Sequence, residues 1–282
     1  MAFSRNFLKF HTKSNGELFL FYFFWLGGLF LIWYEVFHVL PYYISKGSIN
    51  YHHVHLFVAA WLAINIYGNM YKMVSVDITG RNIISPSGDA PKGWKFCDKC
   101  VKNSPERSHH CPLCHECILK RDHHCWFGAC CIGYHNHRYY VTMVFYISLA
   151  AIYANIFNYE FVSDVKGDNG WIMNVLSIIG PHVGWAFGYY SVYDVSIAVL
   201  TTFGYILNFL FLWLLIIQIR QILKGQTKYE LKKGITTYSI GLKIILREIG
   251  GKYWFLVWIS PLVPSPLPGD GISFEKFETK EL

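Results

Sequence analysis

All eight cysteines of the chain fall between Cys97 and Cys131, with histidines interleaved among them. In order, the candidate ligands read Cys97-x-x-Cys100, His110-Cys111-x-x-Cys114-x-x-Cys117, then His124 and Cys131. A Cys-x-x-Cys turn points two sulfurs at one metal, and zinc takes thiolates and imidazoles in tetrahedral sets of four. These ligands suffice for two closed zinc sites, although spacing alone leaves open which of them share an ion. A site closed by four protein ligands has no position for water or substrate, so the expected zinc ions are structural rather than Lewis acids. His115, His135 and His137 are read as side chains without a metal role.

Inside this framework lies Asp122-His123-His124-Cys125, and the ligand count leaves Cys125 and Cys130 over. A thiol with a pKa of about 8.5 is mostly unreactive near pH 7, whereas a neighbouring imidazole takes its proton and produces the nucleophilic thiolate. A carboxylate then orients the imidazole and stabilises its protonated form. Cys125, His123 and Asp122 can fill these three roles, provided a rigid scaffold turns adjacent residues toward one another. The alternative is that Cys125 is one more metal ligand or a small buried apolar group.

Residues 97–140 resemble the cysteine-rich domain of DHHC protein S-acyltransferases, the palmitoyltransferases. The likeness covers the ligand spacing and also Pro105, Arg107, Ile132-Gly133, Asn136 and Arg138-Tyr139. It implies one zinc held by Cys97, Cys100, His110 and Cys117, and a second held by Cys111, Cys114, His124 and Cys131. It further implies that Cys125 attacks a long-chain acyl-CoA such as palmitoyl-CoA, forming an acyl-enzyme that a cysteine of a membrane-associated protein resolves. His123 is then the general base and Asp122 its orienter. Flanking elements are similar but altered. Asp77-Ile78-Thr79-Gly80 lacks the proline of the family's Asp-Pro-Gly element, and Thr227-Lys228-Tyr229-Glu230 has Lys228 where the family's Thr-Thr-x-Glu has a threonine. Trp126 and Ala129-Cys130 also depart from the family pattern.

A nucleophile acting on a lipid-like donor must be positioned by the membrane, and the composition agrees. The chain is 53% hydrophobic and only 15% charged, against roughly 25% charged in soluble domains. Apolar runs long enough to cross a bilayer cover residues 18–40, 54–74, 139–161 and 196–219. The expected fold is an all-α membrane protein with four transmembrane helices and a cytosolic zinc-binding cysteine-rich domain between helices 2 and 3. The division is 1–17 as N-terminal segment, 18–74 as helices 1 and 2, 75–138 as zinc domain, 139–219 as helices 3 and 4, and 220–282 as C-terminal tail. Residues 171–190 are apolar but broken by glycine and proline, and are read as a partly embedded lumenal loop.

Lys and Arg concentrate before the first run, in 81–138 and after the fourth run, while the two other connectors carry one lysine each. The positive-inside rule therefore places both termini and the cysteine segment in the cytosol, whose reducing chemistry keeps thiols available. The family suggests endoplasmic reticulum or Golgi membranes. The net charge of +7 lies beside apolar stretches, where anionic lipid is the nearer partner, so no nucleic-acid partner is expected. The first run lacks a small-residue cleavage pattern, and no cleavable signal peptide is expected. Residues 240–259 read as a helix lying on the membrane or the zinc domain, followed by an irregular tail. The competing functions are a membrane-anchored zinc interaction module, a transporter or channel, and an inactive member of the same family.

Overall fold

The computed structural model describes residues 14–79, 90–166, 180–188, 190–238 and 241–276. Helix α1 spans Asn15–Ser45, with one π turn at Glu35–Val39. Its start is fixed by a reciprocal cap in which Glu17 Oε2 accepts from the Ser14 backbone N–H (3.0 Å) and hydroxyl (2.9 Å), while the Glu17 N–H donates to Ser14 Oγ (3.3 Å). Helices α2 (His52–Ser75), α3 (His137–Lys166) and α5 (Val192–Lys224) follow, with the short α4 (Pro181–Ala186) between the last two. Of the expected loop over 171–190, residues 171–179 and 189 lie outside the described residues, and the described part contains α4.

Among the described residues, three helices are long and apolar enough to cross a membrane: Asn15–Ser45, His137–Asp164 and Val192–Lys224. Large apolar side chains project outward from them, with Phe209 77% and Phe19 67% exposed, a surface suited to lipid rather than water. Helix α2 matches the second expected run in place and length, but His52, His53 and His55 with Asn65, Asn69 and Lys72 lower its apolar character. Its standing as a fourth span is therefore not fixed by composition.

The chain divides into two compact units. One comprises Gly28–Ala63 and Val144–Leu215. Its core is Tyr34, Val39, Tyr43, Phe161, Val162 and Ile197. The other comprises Met1–Gly27, Ile64–Met143 and Ile216–Leu282. It is not purely helical, because the cysteine segment folds into three antiparallel hairpins, β1–β2 (Lys95–Cys97, Lys102–Ser104), β3–β4 (His109–Cys111, Glu116–Ile118) and β5–β6 (His123–Cys125, Cys130–Ile132). Strands of three residues are too short to announce themselves by alternation, so an all-α reading misses them.

The C-terminal segment holds this second unit together. Helix α6 (Lys228–Lys233) begins with a full capping box between Thr227 and Glu230. The same Glu230 carboxylate receives Arg107 Nε and Nη2, both at 2.7 Å. Arg107 is 2% exposed, lies over the rings of Tyr238 (4.1 Å) and Phe274 (4.7 Å), and also donates to the Gly225 carbonyl (3.1 Å). Breaking such a pair leaves a buried charge uncompensated and costs about 3–5 kcal/mol. The expected helix over 240–259 is found shortened to α7 (Leu242–Gly250), with turns after it. It stops at Gly251, where φ is +82° and an added Cβ would lie 2.5 Å from Ser265 Oγ. The tail beyond is irregular as expected, yet it is packed, with Leu267, Ile272 and Phe274 against Leu119 and Tyr134.

Candidate active site and metal centres

Alternation along the strands explains how neighbouring residues serve different sites. In β3–β4, His110 pairs with Cys117 and in β5–β6, His124 pairs with Cys131. Directly opposed residues share one face of a hairpin, while the next residue points to the other. His110 and Cys117 therefore join Cys97 and Cys100, whereas Cys111 turns the other way and joins Cys114, His124 and Cys131. The ligand atoms of each quartet lie within 4.8 Å of one another. These are the two groupings that the family resemblance implies.

The donor sets fit zinc. In the second quartet, His124 Nδ1 is 3.4 Å from Cys114 Sγ, 3.6 Å from Cys111 Sγ and 3.7 Å from Cys131 Sγ. Its other nitrogen, Nε2, meets Glu17 Oε1 at 2.8 Å. A carboxylate behind a ligand histidine fixes the ring and its tautomer, and such partners are commonly worth tenfold to a hundredfold in metal affinity. Glu17 thus caps α1 with one oxygen and holds the His124 ring with the other. Val101 and His115, the residues after each Cys-x-x-Cys pair, have φ of +50° and +54°. Left-handed backbone at a β-branched residue is strained and persists only where surroundings hold it. A metal gripping the preceding turn would do so.

Around the second quartet the resembling residues have structural jobs. Asn136 is fully buried, donates to the carbonyls of Met73 (3.0 Å) and Cys131 (2.9 Å), and accepts from the Gly133 N–H (2.8 Å), so it ties β6 to the end of α2. Ile78, in place of a family proline, packs on Cys111, Ile118 and Cys131. Its carbonyl accepts from the Leu119 N–H at 3.1 Å.

Cys125 lies outside both quartets. On β5 it shares the face of His123, opposite to that of His124, and it is 3% exposed. His123 Nδ1 donates to Asp122 Oδ2 at 2.8 Å, which leaves the other ring nitrogen for the hydrogen bond with Cys125. Burial disfavours a charged ring here, but the bonds to Asp122 and Cys125 outweigh it and lift the His123 pKa to about 9. Burial likewise opposes charge on Asp122, and the bonds from His123 and the Lys228 N–H hold its carboxyl well below the usual range nonetheless. The pair therefore favours imidazolium beside an ionised carboxylate.

Helix ends frame this hairpin. Tyr140 of α3 sets its ring edge on His123 with centroids 4.9 Å apart, and Phe127 in the β5–β6 turn packs on Phe24 of α1 at 4.1 Å. A Cβ on Gly128 would come within 2.4 Å of Met73 Cε, so the turn is pressed against the end of α2. Sequence reasoning missed Glu17, and it missed Gln218 and Gln221, whose amides reach Asp122. Their only signal is polarity, a lone acid at the head of an apolar helix and two amides either side of Arg220 near the end of another. His115, His135 and His137 stand outside both quartets.

Known proteins resemble the chain over much of its length. A family model described as DHHC palmitoyltransferase matches residues 90–235. The probable palmitoyltransferase ZDHHC24 of Danio rerio is 31% identical over 225 residues, covering 79% of this chain and 75% of that protein. The mouse protein of the same name is 29% identical over 226 residues, 78% of each chain. Palmitoyltransferase ZDHHC22 of Rattus norvegicus is 27% identical over 211 residues, 70% of this chain and 77% of that one.

Proposed function

Since the chain belongs to the DHHC palmitoyltransferase family and is a protein S-palmitoyltransferase, we propose that Cys125 is the sulfur that carries the acyl group, with His123 as general base and Asp122 as its orienter. The observation that supports this most is that Cys125 hydrogen-bonds His123 while standing apart from both quartets. In the first half-reaction the Cys125 thiolate attacks the thioester carbonyl of a long-chain acyl-CoA. The new carbon–sulfur bond forms, the bond to CoA breaks, and the CoA thiolate leaves with the proton held on His123. In the second, a substrate cysteine gives its proton to His123 and attacks the Cys125 thioester, releasing the Cys125 thiolate. Thioester replaces thioester in both halves, so no external energy source is needed.

The two quartets are proposed to hold zinc, Cys97, Cys100, His110 and Cys117 for one ion and Cys111, Cys114, His124 and Cys131 for the other. Bound there, zinc supplies a closed structural clamp, and the chain's own residues do the chemistry. The arrangement in the bilayer follows the charge pattern. Four spans, with α2 as the second, leave both termini and the cysteine segment on the cytosolic face, in endoplasmic reticulum or Golgi membranes. Burying an acyl chain is worth about 0.8 kcal/mol per methylene, so the donor's tail belongs among the helices while its CoA head stays in water. The acceptor is a cysteine of a membrane-associated protein.

A covalent intermediate has a kinetic signature. For purified enzyme with palmitoyl-CoA and a cysteine-bearing membrane-anchored peptide, initial rates plotted reciprocally against one substrate at several levels of the other should give parallel lines. Intersecting lines would point instead to direct transfer within a ternary complex.

A further inference from the structure

Four donors converge on the Asp122 carboxylate, which is 4% exposed. His123 Nδ1 (2.8 Å) and Gln218 Nε2 (3.2 Å) meet Oδ2, while Gln221 Nε2 (3.2 Å) and the Lys228 backbone N–H (2.6 Å) meet Oδ1. Lys228 is the position where the sequence departs from the family's threonine, and what it gives Asp122 is its main chain. The two glutamines stand three residues apart on one face of α5, 3% and 1% exposed, while Arg220 between them is exposed.

The network admits one polarity. An ionised carboxylate only accepts, so both amide nitrogens must face Asp122. The second proton on Gln218 Nε2 then goes to Gln221 Oε1 at 2.8 Å, and Gln218 Oε1 accepts from His137 Nε2 at 2.8 Å. The glutamines thus bond both Asp122 oxygens, one each. A carboxylate gripped on both oxygens cannot rotate about its Cβ–Cγ bond without losing a bond at each, and its plane sets the direction in which His123 is held. Resting on the roles proposed above for Cys125, His123 and Asp122, we propose that Gln218 and Gln221 are positioning residues for acyl transfer, acting on the reaction through the orientation of Asp122.

The bland reading is that the amides merely satisfy one another and stabilise the fold. A double-mutant cycle separates the two, using full-length protein and palmitoyl-CoA, with acyl-enzyme formation and zinc content measured for each variant. Gln218→Met and Gln221→Met should each lower the limiting rate of acylation by about tenfold, the scale of one lost hydrogen bond to a charged group. The KM for palmitoyl-CoA and two zinc ions per chain should be retained. Placed in an Asp122→Ala background, the same changes should lower the residual rate by less than about twofold. Undiminished losses in that background, or no loss in the presence of Asp122, would overturn the proposal. If Asp122→Ala itself left acylation intact, the assignment of Asp122 would fail first and this inference with it. Should Gln218→Met lose zinc, Gln221→Met carries the same readout, because it leaves the bond between His137 and Gln218 in place.

Discussion

Cys125→Ser should abolish the thioester adduct formed with palmitoyl-CoA while leaving two zinc ions per chain. The exchange alters one atom at a buried position, so packing is nearly conserved. The chemistry is not conserved, because a serine hydroxyl beside the same imidazole is a far weaker nucleophile than the easily ionised thiol. His123→Ala tests the other half of the pair. The thiol remains, its proposed proton acceptor is gone, and Asp122 loses one of its donors. Removal of a general base typically costs about 10²–10⁴-fold, and the acylation rate should fall within that range. Chase of the adduct with a thiol peptide should slow as well, since the role proposed for His123 is to take the incoming proton. Labelling of the serine variant at the wild-type rate would remove Cys125 from the mechanism.

The second large effect separates two adjacent cysteines. Cys131 is fully buried, belongs to the second quartet, and packs on Ile78, Cys111 and Ile118. Cys130 lies outside both quartets and pairs in register with Cys125. Cys131→Ser should lower zinc content from two ions to one and lower the thermal midpoint markedly. Structural zinc contributes about 10–16 kcal/mol in small zinc-dependent domains, and that binding energy is folding energy. Loss of even several kcal/mol shifts the midpoint by roughly 10 °C or more in a protein of this size. Cys130→Ser should keep both ions and stay within about 1 kcal/mol of wild-type stability. Metal content by plasma emission and thermal unfolding in detergent would decide it, and an unchanged zinc count in Cys131→Ser would break the proposed ligand set.

Much of the chemistry could be read before the fold. The pairs Cys97/Cys100 and Cys111/Cys114 are local, since a tight turn alone brings their sulfurs together, and local signals survive in sequence. Which pair closes with which histidine is a matter of strand faces. His110 and Cys111 are adjacent yet serve different quartets because a strand alternates, and that requires knowing that a hairpin is there. Long apolar runs foretold α1, α3 and α5, whereas α2, with its histidines and asparagines, is the run whose apolar character is weakest. The partners of Asp122 were invisible for another reason. Gln218 and Gln221 lie 96 and 99 residues away, and an amide in an apolar helix carries no mark of what it bonds. Arg107 and Glu230 belong to separate motifs 123 residues apart, and only the fold makes them one ion pair.

Acyl transfer through Cys125 requires that the acylated sulfur be one that zinc does not use. Native mass spectrometry of full-length protein incubated with palmitoyl-CoA, followed by fragmentation to locate the adduct, counts both on the same molecule. The expected species carries one palmitoyl group on Cys125 and two zinc ions. A palmitoyl group on any of the eight quartet residues, or loss of a zinc ion in step with acylation, would contradict it.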